Sequence, residues 1–319
     1  MPDRAVYYLR LSVTSRCNLR CIYCRSGDDT APSAGAELPA GDLLKIVRAA
    51  ALAGFKKVRL TGGEPLLRSD IVDLVGSVAR VPGIDDLALT TNGVYLSRLA
   101  PALARAGLKR VNVSLDTLRP ERFRRITGGD RWHEVWEGIE AALELGLNPV
   151  KLNTVVLRGL NDDEVRDLAR LTLDWPLHLR FIEVMDFQGN SRAAARRVGT
   201  AEVRARLEEE FGPLEPGKPV AGCGPARYWK LPGARGTVGF ISPYSAPFCA
   251  WCNRLRVTAA GTLRPCLHDP WELNLTLPLA RGATERDLAG LFERALARKA
   301  AHRGAAATGG GRPMVELGG

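Results

Sequence analysis

The sequence lacks any run of about eighteen or more consecutive apolar residues, the minimum that a membrane-spanning helix needs. It also lacks the apolar core of a signal peptide near its start, and it has no long run of lysine or arginine. These absences predict a cytoplasmic protein that does not enter a membrane. The 319 residues carry a formal net charge of +10, which fits either a polyanionic partner or a basic surface without a specific ligand.

A disulfide framework is not expected, because the seven cysteines are odd in number and the chain shows no export signal. Six of the cysteines fall into two groups, named the first triad and the second triad. The first triad is Cys17, Cys21 and Cys24, and the second triad is Cys249, Cys252 and Cys266. Cysteines grouped in this way in a reducing compartment are most often metal ligands, so both triads are candidate metal sites.

Six short apolar runs alternate with amphipathic helical patterns over the first two thirds of the chain. The predicted strands cover residues 9–14, 57–61, 87–91, 110–115, 150–156 and 178–184. A helix is predicted over 161–171, because its acidic first turn suits the positive end of a helix dipole. Six strand–helix units in succession predict an α/β fold with a parallel sheet. Since a closed barrel has eight units, a partial open barrel and a doubly wound sheet both fit.

The amino-acid composition changes after about residue 213, where proline and glycine become frequent. We therefore expect a boundary between residues 1–213, which hold the strand–helix units, and residues 214–319, which hold the second triad. Short strands are predicted around 226–231 and 237–241, and a helix near 285–299. The glycine- and alanine-rich residues 300–319 predict a mobile tail.

The first triad has the spacing C-x3-C-x2-C and directly follows the first strand. Three thiolates can hold three irons of a 4Fe–4S cluster and leave the fourth iron open to another ligand. Zinc is the alternative, but a structural zinc site needs a fourth ligand. The triad, Tyr23 and the Thr-Gly-Gly-Glu-Pro segment at 61–65 together resemble the radical S-adenosylmethionine superfamily. That resemblance implies that S-adenosylmethionine binds the open iron and is cleaved to a 5′-deoxyadenosyl radical, with the small residues of 61–65 allowing close backbone approach.

The second triad leaves two interpretations open. One is a second 4Fe–4S cluster with an open iron, and the other is a zinc ribbon with His268 or Cys223 as the fourth ligand. The strand-like segment after Cys252 carries Arg254 and Arg256 in alternation, which places both guanidinium groups on one face. Two such groups can bind phosphate, whereas a solvent-facing charged strand is the ordinary alternative.

Ordered segments over nearly the whole chain resemble one family within this superfamily, the GTP 3′,8-cyclases of molybdenum cofactor biosynthesis. The matching segments are 9–14, 59–65, 90–93, 111–116, 151–155, 180–183, 239–243, 248–256, 263–267 and 318–319. The resemblance implies a partial (β/α)6 barrel of the TIM type, closed by a C-terminal α+β segment. It also implies one cluster at each end of the cavity, with GTP between them and its guanine on the second cluster.

Functional residues of the family map onto this sequence through those segments. The implied contacts with S-adenosylmethionine are Tyr23, Gly63, Ser114 and Met185. The implied contacts with GTP are Arg10, Arg59, Thr90, Lys151, Arg254, Leu255 and Arg256. The residues implied in catalysis are Arg254, Arg256, Gly318 and Gly319, the last two forming a tail that reaches into the active site. The two triads are the implied cluster ligands.

The implied reaction removes the ribose 3′ hydrogen of GTP and joins C3′ to C8, giving 3′,8-cyclo-7,8-dihydro-GTP. Its implied cofactors are two 4Fe–4S clusters and S-adenosylmethionine. The expected partners are GTP as substrate, cyclic pyranopterin monophosphate synthase as the next enzyme, an electron donor of the flavodoxin or ferredoxin type, and a second copy in a homodimer, but no nucleic acid and no membrane.

Two alternatives compete with this interpretation. A radical enzyme that modifies peptides would usually carry a longer, cysteine-rich C-terminal region. A zinc-bearing nucleic-acid-binding module would use the charge of +10, but it explains neither the 61–65 segment nor the six strand–helix units.

Overall fold

A twelve-stranded sheet forms the frame of the computed structural model, which describes residues 6–24, 37–186, 191–222, 224–301, 314 and 318. The strands within these residues are β1 Tyr8–Ser12, β2 Lys57–Thr61, β3 Asp86–Thr91, β4 Arg110–Ser114, β5 Lys151–Val156, β6 His178–Glu183, β7 Glu215–Pro216, β8 Arg227–Lys230, β9 Thr237–Ile241, β10 Arg254–Val257, β11 Thr262–Arg264 and β12 Leu273–Asn274.

Helices cover the outer face of the sheet. They are α1 Ala40–Leu52, α2 Ile71–Ala79, α3 Leu96–Arg105, α4 Pro120–Thr127, α5 Trp132–Glu144, α6 Val165–Asp174, α7 Ser191–Ala194, α8 Thr200–Phe211, α9 Thr276–Ala280 and α10 Glu285–Ala301. In the described part of the chain, none of these helices is both long enough and apolar enough to cross a membrane.

The strand order is β12-β11-β10-β1-β2-β3-β4-β5-β6-β9-β8-β7. Strands β1 to β6 are parallel neighbours in sequence order, as consecutive strand–helix units require. The C-terminal segment adds parallel strand β10 beside β1 and parallel strand β9 beside β6. Antiparallel strands complete each edge. The partial barrel and its C-terminal extension are thus both present, whereas the boundary near residue 213 stays a prediction.

Alternation along each strand decides which side chains face the helices and which face inward. Leu9 and Leu11 of β1 are fully buried in the main apolar core beneath the helices. Tyr8 and Arg10 point to the other face, because successive side chains of a strand point in opposite directions. The inner face of the sheet is consequently polar and charged where the outer face is apolar.

The helix predicted over residues 161–171 begins later, at Val165. The prediction of its start was wrong because Asn161 uses its side chain to hold the preceding loop. Its Oδ1 accepts a hydrogen bond from the backbone N–H of Leu157 at 2.7 Å, and its Nδ2 donates to the carbonyl of Asp116 at 2.7 Å. These bonds hold residues 161–164 in turns. Asparagine and aspartate favour turns as well as helix starts.

Candidate active site between the two cysteine triads

The first triad lies in the loop that leaves the carboxyl end of β1. Within the loop, the backbone N–H of Cys24 donates to the carbonyl of Cys21 at 2.9 Å. The N–H of Leu19 lies 3.5 Å from the sulfur of Cys17. A third bond, from the N–H of Ile22 to the carbonyl of Ile126 at 3.0 Å, attaches the loop to α4. The loop is therefore held by the barrel rather than by its own sequence alone.

The 61–65 segment packs directly against this loop. A Cβ atom on Gly63 would lie 2.2 Å from the carbonyl oxygen of Arg16, so no larger residue fits there. Glu64 is fully buried and accepts hydrogen bonds from the N–H groups of Leu66 at 2.9 Å and Asn92 at 2.6 Å. Burial nevertheless raises the pKa of Glu64 to about 7. The glycines are thus needed for backbone packing in addition to the proposed approach to S-adenosylmethionine.

Tyr23, inside the first triad, is tied to the barrel by a buried carboxylate that sequence reasoning missed. Its hydroxyl donates to Oδ2 of Asp116 at 2.6 Å, and Oδ1 of Asp116 accepts from the N–H of Val155 at 2.8 Å. Burial raises the pKa of Asp116 to about 6, although both hydrogen bonds lower it. The two partners are 93 positions apart in the chain, which explains why sequence alone gives no signal for this contact.

We expect Tyr23→Phe to loosen the first-triad loop, because the buried Asp116 carboxylate would lose a charge-assisted hydrogen bond of about 1.5–3 kcal/mol. Hydrogen-exchange mass spectrometry should show amides 18–24 exchanging about ten- to hundredfold faster in this variant. Tyr95→Phe, which removes the hydroxyl of a half-buried tyrosine elsewhere, is the matched control. Equal protection of the loop in both variants would show that the Tyr23–Asp116 bond does not hold it.

The second triad lies at the amino ends of the parallel strands, opposite the first triad, because Cys252 precedes β10 and β10 runs parallel to β1. Cys249 and Cys252 flank a short 3₁₀ turn, in which the N–H of Cys252 donates to the carbonyl of Cys249 at 3.2 Å. Burial raises the pKa of the Cys252 thiol, but the Arg254 guanidinium and the Lys299 ammonium outweigh it and bring the value to about 6. The lowered pKa favours the thiolate form of Cys252, which is the form that binds a metal.

One cavity of about 340 Å³ is lined by both triads. The residues around it that were predicted to contact S-adenosylmethionine or GTP are Tyr23, Gly63, Ser114, Met185, Arg10, Arg59, Thr90, Arg254 and Arg256. The structure therefore brings together nearly all of the predicted site, drawn from five strands, from loops that follow strands, and from both halves of the chain.

Arginines on three adjacent strands form a row along one wall of the cavity. Arg10 on β1 is in register with Arg59 on β2 and with Arg256 on β10. Burial, followed by neighbouring positive charges, lowers the pKa of Arg59 and of Arg256 to about 10. The same causes lower the pKa of Arg10 well below its usual value. Arg59 and Arg256 are buried and Arg10 is partly buried, and a bound anion would stabilise these mutually repelling cations.

Four predicted site residues either are not part of the cavity lining or lie outside the described residues. Leu255 is fully buried in the apolar core, on the face of β10 away from the cavity. Lys151 is buried on β5 but does not line the cavity, and its Nζ donates to the carbonyl of Ala221. The carbonyl of Gly318 accepts a hydrogen bond from Arg256 at 2.8 Å. Gly319, Cys223 and all but four residues of the predicted tail, 300–319, lie outside the described residues.

Arg180 on β6 belongs to the site although sequence reasoning gave it no role. It lines the cavity and is 3% exposed. The sequence feature that could have identified it is the alternation of side chains along β6, which places Arg180 on the inner face two residues after His178. Gly239 on the next strand makes room for it, since a Cβ there would lie 3.2 Å from Cγ of Arg180.

Two features of the cavity, buried donor atoms and crowded thiols, indicate whether a nucleotide and iron–sulfur clusters fit it. Within the described residues, Nε of Arg59 and both Nε and Nη2 of Arg180 are buried without a hydrogen-bond partner. Orphaned donors of this kind are costly, and the oxygens of a triphosphate would satisfy them. Burial, Asp116 and the other two cysteines raise the pKa of Cys21 well above its usual value. Bound iron is positively charged and binds thiolates, so it would offset the negative charges that raise the pKa of Cys21.

Comparison with known proteins agrees with this geometry. Residues 11–172 match the family model of the radical SAM superfamily, and residues 177–304 match the model named Molybdenum Cofactor Synthesis C. The chain is 53% identical over 305 residues to a GTP 3′,8-cyclase of Pelotomaculum thermopropionicum, covering 93% of this chain and 92% of the relative. It is 44% identical over 294 residues to human molybdenum cofactor biosynthesis protein 1, covering 92% of this chain and 46% of the human protein.

Solved structures support the fold alone. Streptococcus suis SuiB bound to S-adenosylmethionine has a TM-score of 0.61 at 17% identity, covering 91% of this chain and 66% of SuiB. The anSMEcpe protein with bound AdoMet has a TM-score of 0.58 at 16% identity, covering 84% of this chain and 77% of that protein.

The barrel, the first triad at its rim and the matching superfamily model define a radical S-adenosylmethionine enzyme. The relatives narrow that class. The chain belongs to the GTP 3′,8-cyclase family of molybdenum cofactor biosynthesis. The predicted α/β fold, the enzyme class, and the cofactors (two 4Fe–4S clusters and S-adenosylmethionine) are thereby confirmed. This assignment replaces the two alternative classes, a peptide-modifying enzyme and a zinc-bearing nucleic-acid-binding module.

Proposed function

We propose that the first triad holds the cluster that cleaves S-adenosylmethionine and that the second triad holds a cluster facing GTP. When bound, the first cluster and S-adenosylmethionine supply the 5′-deoxyadenosyl radical that removes the ribose 3′ hydrogen of GTP, so that C3′ joins C8 in 3′,8-cyclo-7,8-dihydro-GTP. The observation that carries the proposal is that both triads and the row of arginines line one cavity.

The protein's own residues bind, orient and enclose the substrate. Arg10, Arg59 and Arg256 would attract the triphosphate, whose several negative charges match their positive charges. Tyr23, Gly63, Ser114 and Met185 would hold S-adenosylmethionine at the first-triad end. Apolar walls that include Val155 and Leu267 would keep water away from the reacting carbon atoms.

The C-terminal tail would complete the enclosure. The hydrogen bond from Arg256 to the Gly318 carbonyl supports this role, because Gly318 lies next to an arginine of the row. Arg254 and Arg256 would then act in catalysis together with Gly318 and Gly319, as the family resemblance implies.

Further partners follow from the chemistry. We propose a flavodoxin- or ferredoxin-type protein as the source of the electron, and cyclic pyranopterin monophosphate synthase as the enzyme that takes up the product. A cytoplasmic location and a homodimer remain part of this proposal, with nucleic acid and membrane excluded as partners.

Anaerobic reconstitution followed by metal counting and a GTP assay tests the proposal. Two cubane clusters require about eight irons per chain. Formation of 5′-deoxyadenosine should need both GTP and a reductant. A count of about four irons, or stoichiometric zinc, would contradict the two-cluster site, and 5′-deoxyadenosine without cyclised product would contradict the proposed substrate geometry.

A further inference from the structure

A lysine from the last long helix lies buried against the second triad. Lys299 of α10 is 6% exposed. Its Nζ donates to the carbonyl of Pro265 at 2.8 Å and lies 3.4 Å from the sulfur of Cys252. A buried ammonium group is costly unless it is paired, and here a carbonyl oxygen and a thiolate provide the pairing.

The ammonium group reaches both arms of the second triad. It contacts Cys252 directly, and it contacts the residue before Cys266 through the carbonyl of Pro265. Helix α10 delivers it from a fixed position, because Phe292 of that helix packs edge-on against Phe55 at a ring-centre distance of 5.4 Å. Lys299 is thus held by packing, whereas a surface lysine would lose conformational entropy on forming the same contact.

We propose that Lys299 is a positioning residue of the second cluster, which fixes the Cys252 and Cys266 arms and raises the reduction potential of the cluster they hold. The proposal rests on the proposed function, since it requires iron at the second triad. A reduced cluster carries one more negative charge than an oxidised one. A nearby cation that donates a hydrogen bond to a ligand sulfur therefore stabilises the reduced form.

The test uses the full chain with Cys17→Ala, Cys21→Ala and Cys24→Ala, so that the measured cluster is the second one alone. Lys299→Met, Lys299→Gln and Lys299→Arg are compared by iron count and by potentiometric electron paramagnetic resonance. Arg294→Met is the matched control, because it removes a positive charge from an exposed position on the same helix.

In Lys299→Met, we expect the ratio of reduced to oxidised cluster at a fixed potential to fall about tenfold, which is about 59 mV for one electron. Lys299→Gln, which keeps a donor without the charge, should fall between. Lys299→Arg and Arg294→Met should stay near the parent. If Lys299→Met loses its iron, retention of iron and potential in Lys299→Arg supports the same role.

Two results would overturn the proposal while leaving the second cluster in place. One is an unchanged potential in Lys299→Met with a full iron count. The other is equal loss of iron in Lys299→Met and Lys299→Arg, which would make the residue only an anchor for α10. A parent chain without iron at the second triad would contradict the two-cluster proposal itself, and this inference with it.

Discussion

Removing Gly318 and Gly319 is expected to lower GTP cyclisation at least about a hundredfold, which corresponds to about 2.7 kcal/mol of transition-state stabilisation. The deletion takes away the carbonyl that accepts a hydrogen bond from Arg256 at 2.8 Å. Because Arg256 is buried, its guanidinium group would be left short of a partner, a loss of about 1.5–3 kcal/mol for a charged donor. The GTP cyclisation assay under anaerobic conditions measures the effect.

A point substitution separates the shape of the tail from its length. Gly318 has a φ of 74°, and a Cβ atom there would lie 2.9 Å from Cβ of Ser12. Gly318→Val should therefore also lower cyclisation, because a β-branched residue is strained at this φ and collides with β1. Gly290→Ala is the control, since a Cβ at that position meets nothing within 4 Å.

The iron count decides how these tail variants are interpreted. About eight irons per chain in the deletion variant, together with lost cyclisation, would place the tail in the reaction and not in cluster assembly. Full activity of the deletion variant would refute a catalytic role for the tail.

Local sequence patterns predicted the strands well because they depend on alternation within one segment. The bounds of β2 and β9 agree with those predicted, and the Arg254–Arg256 alternation does place both side chains at the cavity. Each triad was likewise visible, because its cysteines are close together in sequence. A period of two reports which face of a strand a residue occupies, and that was sufficient to place Arg254 and Arg256 on the same face.

Contacts between distant segments could not be predicted in this way. Asp116 meets Tyr23 and Lys299 meets Cys252 only after the chain has folded, and nothing beside either residue signals its partner. Asn161 shows the same limitation at short range: a helix start and a loop-holding turn use the same residue types, and the tertiary contact to Asp116 decides between them.

GTP affinity is expected to fall as pH rises above 7, by up to about tenfold per pH unit, because of Lys151. Burial, followed by the neighbouring guanidinium groups of Arg180 and Arg110, lowers its pKa to about 6. Most of the free protein therefore carries a neutral Lys151 at pH 8. The phosphate groups of GTP favour the charged ammonium form, so binding raises the pKa and takes up a proton.

The direction of the pH effect follows from that proton. Between the pKa of the free protein and that of the complex, each rise in pH makes the required proton scarcer and weakens binding. Two neighbours of Lys151, His178 and Arg59, do not titrate between pH 7 and 8.5. Burial and Lys151 lower the pKa of His178 to about 4, so that it stays neutral. The pKa of Arg59 is about 10, so that it stays charged, and GTP is already fully ionised because its last phosphate pKa is about 6.

Isothermal titration calorimetry of the cluster-loaded protein, in buffers of different ionisation enthalpy, measures both the affinity and the proton uptake. Lys151→Arg is the decisive variant, because a guanidinium group remains charged across the window and should abolish the pH slope while preserving binding. Lys151→Met should also abolish the slope, but with weaker binding at pH 7. Lys151 stands on β5 beside the cavity and not on its lining. The slope of GTP affinity against pH therefore depends on the Lys151 charge acting over a distance, together with the neighbouring charges of Arg180, Arg110 and Arg59. An identical slope in wild type and Lys151→Arg would assign the titration to another group and remove Lys151 from the GTP site.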